Sequence, residues 1–122
     1  MITICGSIKN KEFILKFSEK LQEIGVKCFI PDMRIPKEEV DPCLEREFIY
    51  NHFAFIDKSN GILVLNPENR IGTSVLVEIG YCRGQKKPVY FLKATGISEI
   101  DCLADKISPT YEEIKKLFLK FN

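Results

Sequence analysis

No apolar run in the sequence approaches the roughly 20 residues that span a bilayer, so no membrane segment is expected. The opening Met1-Ile2-Thr3-Ile4-Cys5 has neither the basic stretch nor the small-residue cleavage site of a secretory signal. Neither sign of charge is in excess: 18 Lys and Arg stand against 17 Asp and Glu, for a net charge of +1. Without a long-range field, no nucleic acid polymer and no anionic membrane is expected as a partner, and any phosphate site must be local. His52 is the single histidine, and none of the five cysteines (Cys5, Cys28, Cys43, Cys82, Cys102) belongs to a Cys-x-x-Cys pair. No metal quartet can be assembled from them, and free thiols in a reducing cytoplasm are the expected state. There is no Gly-x-Gly-x-x-Gly and no Walker loop, and no cofactor is expected.

What is present reads as one globular domain over residues 1–122. Hydrophobic residues make up 45% and charged residues 29%. A chain of this length buries roughly two-thirds of its unfolded surface, enough for a core without staples.

Strand-like and helix-like segments alternate along the chain. Residues 2–5 lean to β and end at Gly6-Ser7. A helix starts at Asn10, with apolar positions Phe13, Phe17, Leu21 and Ile24, and stops at Gly25. Val26 to Ile30 is a second strand, followed by a polar loop over 32–40. Asp41-Pro42 is a strong helix start, and that helix runs to about Ser59. Ile62 to Leu65 is fully apolar, as in the middle of a parallel sheet. Gly72-Thr73-Ser74 opens a third helix reaching about Gly84, and Pro88 to Leu92 is the fourth strand. A short strand is expected near Lys106-Ile107-Ser108. The last helix, about Thr110 to Lys120, is amphipathic through Ile114, Leu117, Phe118 and Phe121. Strands joined through helices imply a parallel sheet. The expected architecture is a small doubly wound α/β sandwich of three layers, flavodoxin-like or Rossmann-like, with four or five parallel strands. Ligands in such folds bind beyond the C-terminal strand ends, where strand order reverses. A pocket is therefore expected between the loops at Gly6, Pro31 and Asn66.

Several residues near those loops carry candidate chemistry. Gly6-Ser7-Ile8 allows close backbone approach at a helix start, although a plain tight turn uses the same residues. Gly72, Thr73 and Ser74 bring free N–H groups and two hydroxyls to the start of helix three, where an ordinary N-cap is the simpler reading. Asp32, Arg34 and Asn66 lie in loops at the ligand end, and loop charges are commonly just solvated. On a wheel of about 100° per residue, the apolar face of helix three centres on Val75, and Glu78 stands about 60° away on its flank. A carboxylate there is partly desolvated. It serves either as a nucleophile or acid–base group, or as a side chain reaching past the core edge to water. His52 points into the apolar arc of helix two, about 12 Å above the base of strand three, which sets it level with the ligand end of the sheet. There it serves either as a catalytic partner that hydrogen-bonds Glu78 or the leaving base, or as a core histidine with satisfied nitrogens. Glu45, two turns earlier, falls at or above the rim. Asp57 reads as helix-end surface.

The segment Ile56-Asp57-Lys58-Ser59-Asn60-Gly61-Ile62-Leu63-Val64-Leu65-Asn66-Pro67, then Arg70 through Glu78-Ile79-Gly80-Tyr81-Cys82 to Lys87-Pro88-Val89, resembles the nucleoside 2-deoxyribosyltransferase superfamily. Ile4-Cys5-Gly6-Ser7-Ile8 fits as well, so the resemblance spans nearly the whole chain. It implies an enzyme acting on the N-glycosidic bond of a deoxynucleoside, or of a nucleoside 5-phosphate as in the related N-glycosidases. By the resemblance Glu78 is the nucleophile that forms a glycosyl-enzyme, and Gly6, Ser7 and Ile8 line the sugar or phosphate site with Thr73 and Ser74 nearby. The chain departs from the family pattern at three carboxylate positions, where it has His52, Asn60 and Gly72. A nucleotide-binding or sensor module that keeps the pocket without turnover is the alternative. Relatives complete their site with a neighbouring subunit, and helix two is rich in aromatics (Phe48, Tyr50, Phe53, Phe55), so a homo-oligomer, a dimer or larger, is expected.

Overall fold

The computed structural model describes residues 1–30 and 42–120. Five strands form one sheet: β1 (Ile2–Cys5), β2 (Cys28–Phe29), β3 (Gly61–Val64), β4 (Val89–Phe91) and β5 (Lys106–Ile107). Every pairing is parallel and the order is β2-β1-β3-β4-β5. Around it lie α1 (Lys11–Glu23), α2 (Pro42–Lys58), α3 (Thr73–Gly84), α4 (Ser98–Asp101) and α5 (Tyr111–Lys120). This is the expected small three-layer doubly wound fold. The chain starts on β1, steps outward to β2, then returns to the other side as β3, so strand order reverses between β1 and β3. Cys5 pairs with Val64 at the C-terminal edge of that junction.

Two cores follow from the strand period of two. Ile2, Ile4, Leu63 and Leu65 face one side and pack with Ile14 and Leu21 of α1 and Ile114 and Leu117 of α5. Cys5, Ile62, Val64, Val89 and Phe91 face the other and pack with Ile56 of α2 and Val75, Ile79 and Cys82 of α3. Asn60-Gly61 ends α2 where expected, and Gly25 follows α1 in the left-handed region at φ +90°. Among the described residues no helix is long and apolar enough to cross a membrane.

Two expectations are corrected, and one segment without a stated expectation gains a turn of helix. The buried stripe of α1 is Ile14, Ser18 and Leu21; of the expected apolar positions Leu21 is buried, Phe17 and Ile24 pack partly buried at the core edge, and Phe13 is 37% exposed. Ser18 is tolerated inside because its hydroxyl donates to the Ile14 carbonyl at 2.8 Å, leaving no polar group unmet. Phe17 instead forms a row of rings with Phe13 and Tyr111, at 5.9 and 5.5 Å. The second strand is shorter than Val26 to Ile30, spanning Cys28–Phe29. The stretch 94–105 holds the single turn α4, where the Asp101 carboxylate accepts from Thr95 N, Thr95 Oγ1 and Gly96 N. Four residues are too few to show a helical period. Pro31, one border of the expected pocket, and the polar loop 32–40, with Asp32 and Arg34, lie outside the described residues, as do Asp41, Phe121 and the side chain of Phe118.

The helix-two aromatics are less surplus than their number suggests. Phe55 stacks on Phe29 of β2 at 4.7 Å and Phe53 stacks on Tyr81 of α3 at 3.9 Å, while Tyr50 stays 61% exposed.

Exposed carboxylates link the fold to pH. Lys106 beside Glu113 brings that carboxyl down to about 2, helped by the Thr110 N–H in a capping box. The Thr95 N–H lowers Asp101, and Gln85 followed by Tyr81 lowers Asp57. Groups with depressed folded values stabilise above the ordinary carboxylate range, and that contribution is lost as pH falls through the folded values. The urea midpoint should therefore drop between about pH 4 and pH 2. Glu113→Gln should flatten part of the drop, and an equally steep profile in that variant would count against the assignment.

Candidate functional site

Helix α3 starts at Gly72, an extended N-cap with φ −79° and ψ 171°. Its turn spacing sends Val75, Ile79 and Cys82 onto the sheet and carries Glu78 in beside them. Glu78 is 4% exposed, so the carboxylate lies inside the helix layer instead of reaching water. Across the interhelical gap α2 presents His52, and Nδ1 of its ring lies 2.7 Å from Glu78 Oε1. The two side chains are 11% and 6% exposed. The approach is short but lies off the axis of a ring N–H, so it is a close polar contact and not a linear hydrogen bond. Glu78 Oε2 is buried with no hydrogen-bond partner. Such an oxygen costs about 1–3 kcal/mol to keep, more if charged, and native proteins retain few of them.

Beneath the pair is Cys5, the last residue of β1 and fully buried. Burial first, then the negative charge of Glu78 and a hydrogen bond from the thiol to that carboxylate, push its thiol well above the ordinary range. Burial also raises Cys82, to about 11. Neither is a thiolate near neutral pH, so both thiols beside Glu78 are neutral groups.

A clamp between α2 and α3 holds His52 against Glu78. Phe53, the residue after His52, stacks on Tyr81, one turn beyond Glu78, with ring centroids 3.9 Å apart. The Tyr81 hydroxyl donates to Asp57 Oδ1 at 2.7 Å, and Gln85 donates to the same oxygen. Lys87 Nζ donates to the carbonyls of Ile56 and Asp57 at 2.7 and 2.9 Å, meeting both the open carbonyls and the negative end of α2. Sequence reasoning missed this clamp and read Asp57 as plain surface. The available signal was spacing: Tyr81 follows Glu78 by three and Asp57 follows Phe53 by four, so each pair shares a helix face. Tyr81→Phe keeps the stack and loses an exposed hydrogen bond, so it should cost about 1 kcal/mol or less. Phe53→Ala removes the stack and should cost about 3 kcal/mol, read from urea midpoints. Equal effects would mean that the stack is not the main tie.

The remaining described candidates lie around the C-terminal edge of the sheet, and among the described residues no hydrogen bond joins them to the Glu78–His52 pair. Gly6 is required for packing: a Cβ there would stand 2.7 Å from Ile14 Cδ1 and 3.1 Å from the Leu65 carbonyl. Ser7 Oγ accepts from Lys9 N at 3.3 Å, and Ile8 is 37% exposed. Asn66 is buried and splints two loops, donating to the Lys93 carbonyl at 2.8 Å and accepting from Lys93 N at 3.0 Å. Among the described residues Gly6 thus has Ile14 and Leu65 close by, and the Asn66 amide is engaged by Lys93. Gly72, Thr73 and Ser74 are exposed, neither hydroxyl bonds to a described residue, and a Cβ at Gly72 would meet nothing within 4 Å. Asp32 is outside the described residues.

An open groove of about 500 Å³ runs along the first half of α2, lined by Pro42, Glu45, Arg46, Ile49 and Tyr50. Because α2 runs back against the parallel strands, this half stands at their C-terminal side, the expected end. Glu45 and Ile49 continue the face of α2 that carries His52, so the groove lies one to two turns above the buried pair. Among the described residues no group of three His, Cys, Asp or Glu could hold a metal ion.

No family model matches the chain, and no curated protein matches it. A solved structure, that of a conserved protein from Enterococcus faecalis V583, is similar over 100% of this chain and 99% of that one, with a TM-score of 0.60 and 12% identity. At that identity the likeness shows a shared fold.

Proposed function

We propose that the protein acts on the N-glycosidic bond of a deoxynucleoside or nucleoside 5-phosphate, with Glu78 as nucleophile. Oε2 would bond to the anomeric carbon as the electron pair of the C–N bond leaves with the base. The glycosyl group would then pass to another base or to water. The observation that carries this reading is the Glu78 carboxylate itself: buried, faced by His52 and not by a lysine or arginine, with one oxygen uncommitted. Gly6, Ser7, Ile8, Asn66, Thr73 and Ser74 sit at the strand ends where a sugar or its phosphate would bind. A screen of deoxynucleosides and their 5-phosphates for base release tests it.

A different observation favours a second reading. Only 6% of the Glu78 side chain reaches solvent, and the groove is lined by α2 residues instead of by the carboxylate. On this reading the chain binds nucleotides without turning them over. Binding without base release in the same screen selects it.

A further inference from the structure

His52 Nδ1 is buried against Glu78, so the 11% exposure of the side chain belongs to the rest of it, away from the carboxylate. Nδ1 and a carboxylate oxygen 2.7 Å apart attract only if Nδ1 carries a proton, even off the N–H axis; two lone pairs at that distance repel. The hydrogen bond or charge contact of one ring nitrogen decides what the other is free to do. Among the described residues Nε2 has no partner. The ring also stands on the face of α2 that continues upward through Ile49 and Glu45 into the groove. Phe55 at 6.2 Å and the Phe53–Tyr81 stack limit its rotation.

We infer that Glu78 holds the proton of neutral His52 on Nδ1, and that Nε2 is the acid–base group that protonates the leaving base. This rests on the proposed glycosidic reaction and adds the group that completes it. In the balanced step, Glu78 Oε2 bonds to the anomeric carbon and the C–N electron pair goes to the base nitrogen. Imidazolium His52 gives that nitrogen its Nε2 proton and is left neutral, with Nδ1–H toward Oε1. When water attacks the anomeric carbon, the bond to Glu78 Oε2 breaks, its electron pair returns to the carboxylate, and Nε2 of neutral His52 takes the water proton.

Because His52 is the only histidine, its ring nitrogens can be read by long-range proton–nitrogen NMR without assignment. At mildly alkaline pH, where an ordinary imidazole is neutral, the wild type should show the Nδ1–H tautomer. Glu78→Ala should release the ring toward the Nε2–H form. An Nε2–H tautomer in the wild type overturns the inference, with no variant needed. The second arm compares natural deoxynucleosides with the deoxyriboside of para-nitrophenol, whose leaving group needs no proton. His52→Asn keeps a donor for Glu78 and removes Nε2. It should lose about a hundredfold or more on natural substrates and only a few-fold on the aryl substrate. Equal losses on both overturn the acid role alone. Release of nothing by the wild type overturns it together with the reading on which it rests.

Discussion

Glu78→Gln should lower base release by at least about a thousandfold, or ~4 kcal/mol of barrier, while leaving the fold intact. Glutamine matches the shape of a side chain that is 4% exposed, so packing against Val75, Ile79 and Cys5 is kept. The change removes the charge that faces His52 at 2.7 Å and the oxygen able to form an ester. Thermal unfolding and base release measured on the same preparation separate the two effects. Loss of both together would make Glu78 a structural residue, and loss of neither would leave the resemblance to the deoxyribosyltransferases a matter of fold.

Gly61→Ala should be among the most damaging single-atom additions in the protein. A Cβ at Gly61 would stand 2.5 Å from the Pro88 carbonyl oxygen. That oxygen cannot retreat freely, because it accepts the ladder bond from Ile62 N at 3.0 Å. The expected cost is about 3 kcal/mol, at the upper end of overpacking changes. Gly80→Ala is the internal contrast. Gly80 lies inside α3, and a Cβ there meets nothing within 4 Å. Alanine should stabilise it by about 0.5–1 kcal/mol through helix propensity. Urea midpoints that move the same way for both variants would contradict this account of the β3–β4 edge.

The strand–helix alternation was legible because it rests on local periodicity and on punctuation such as Gly25, Asp41-Pro42 and Asn60-Gly61. The place of Glu78 on the flank of the apolar face was legible for the same reason, since a wheel fixes its angle to Val75. The wheel left open whether it reached water, and its burial at 4% exposure was not legible. What lies opposite was only half legible. His52 could be placed by height along α2, but the 2.7 Å contact depends on the interhelical spacing that Phe53, Tyr81 and Asp57 set. No one-dimensional pattern carries that distance. Ser18 shows another limit: a polar residue on the buried stripe of α1 displaces the apparent apolar face toward Phe13 and Phe17 unless its bond to Ile14 is known. Asn66 shows a third. A polar residue after a strand serves a ligand or the backbone with the same composition, and here its amide is engaged with Lys93.

The central claim is a covalent bond to Glu78, and peptide mass spectrometry of protein quenched during turnover of a deoxynucleoside tests it most directly. The account predicts one added deoxyribosyl group on the peptide containing Glu78 in the wild type and none in Glu78→Gln. Base release by Glu78→Gln at the wild-type rate, or an adduct on another residue, would contradict it.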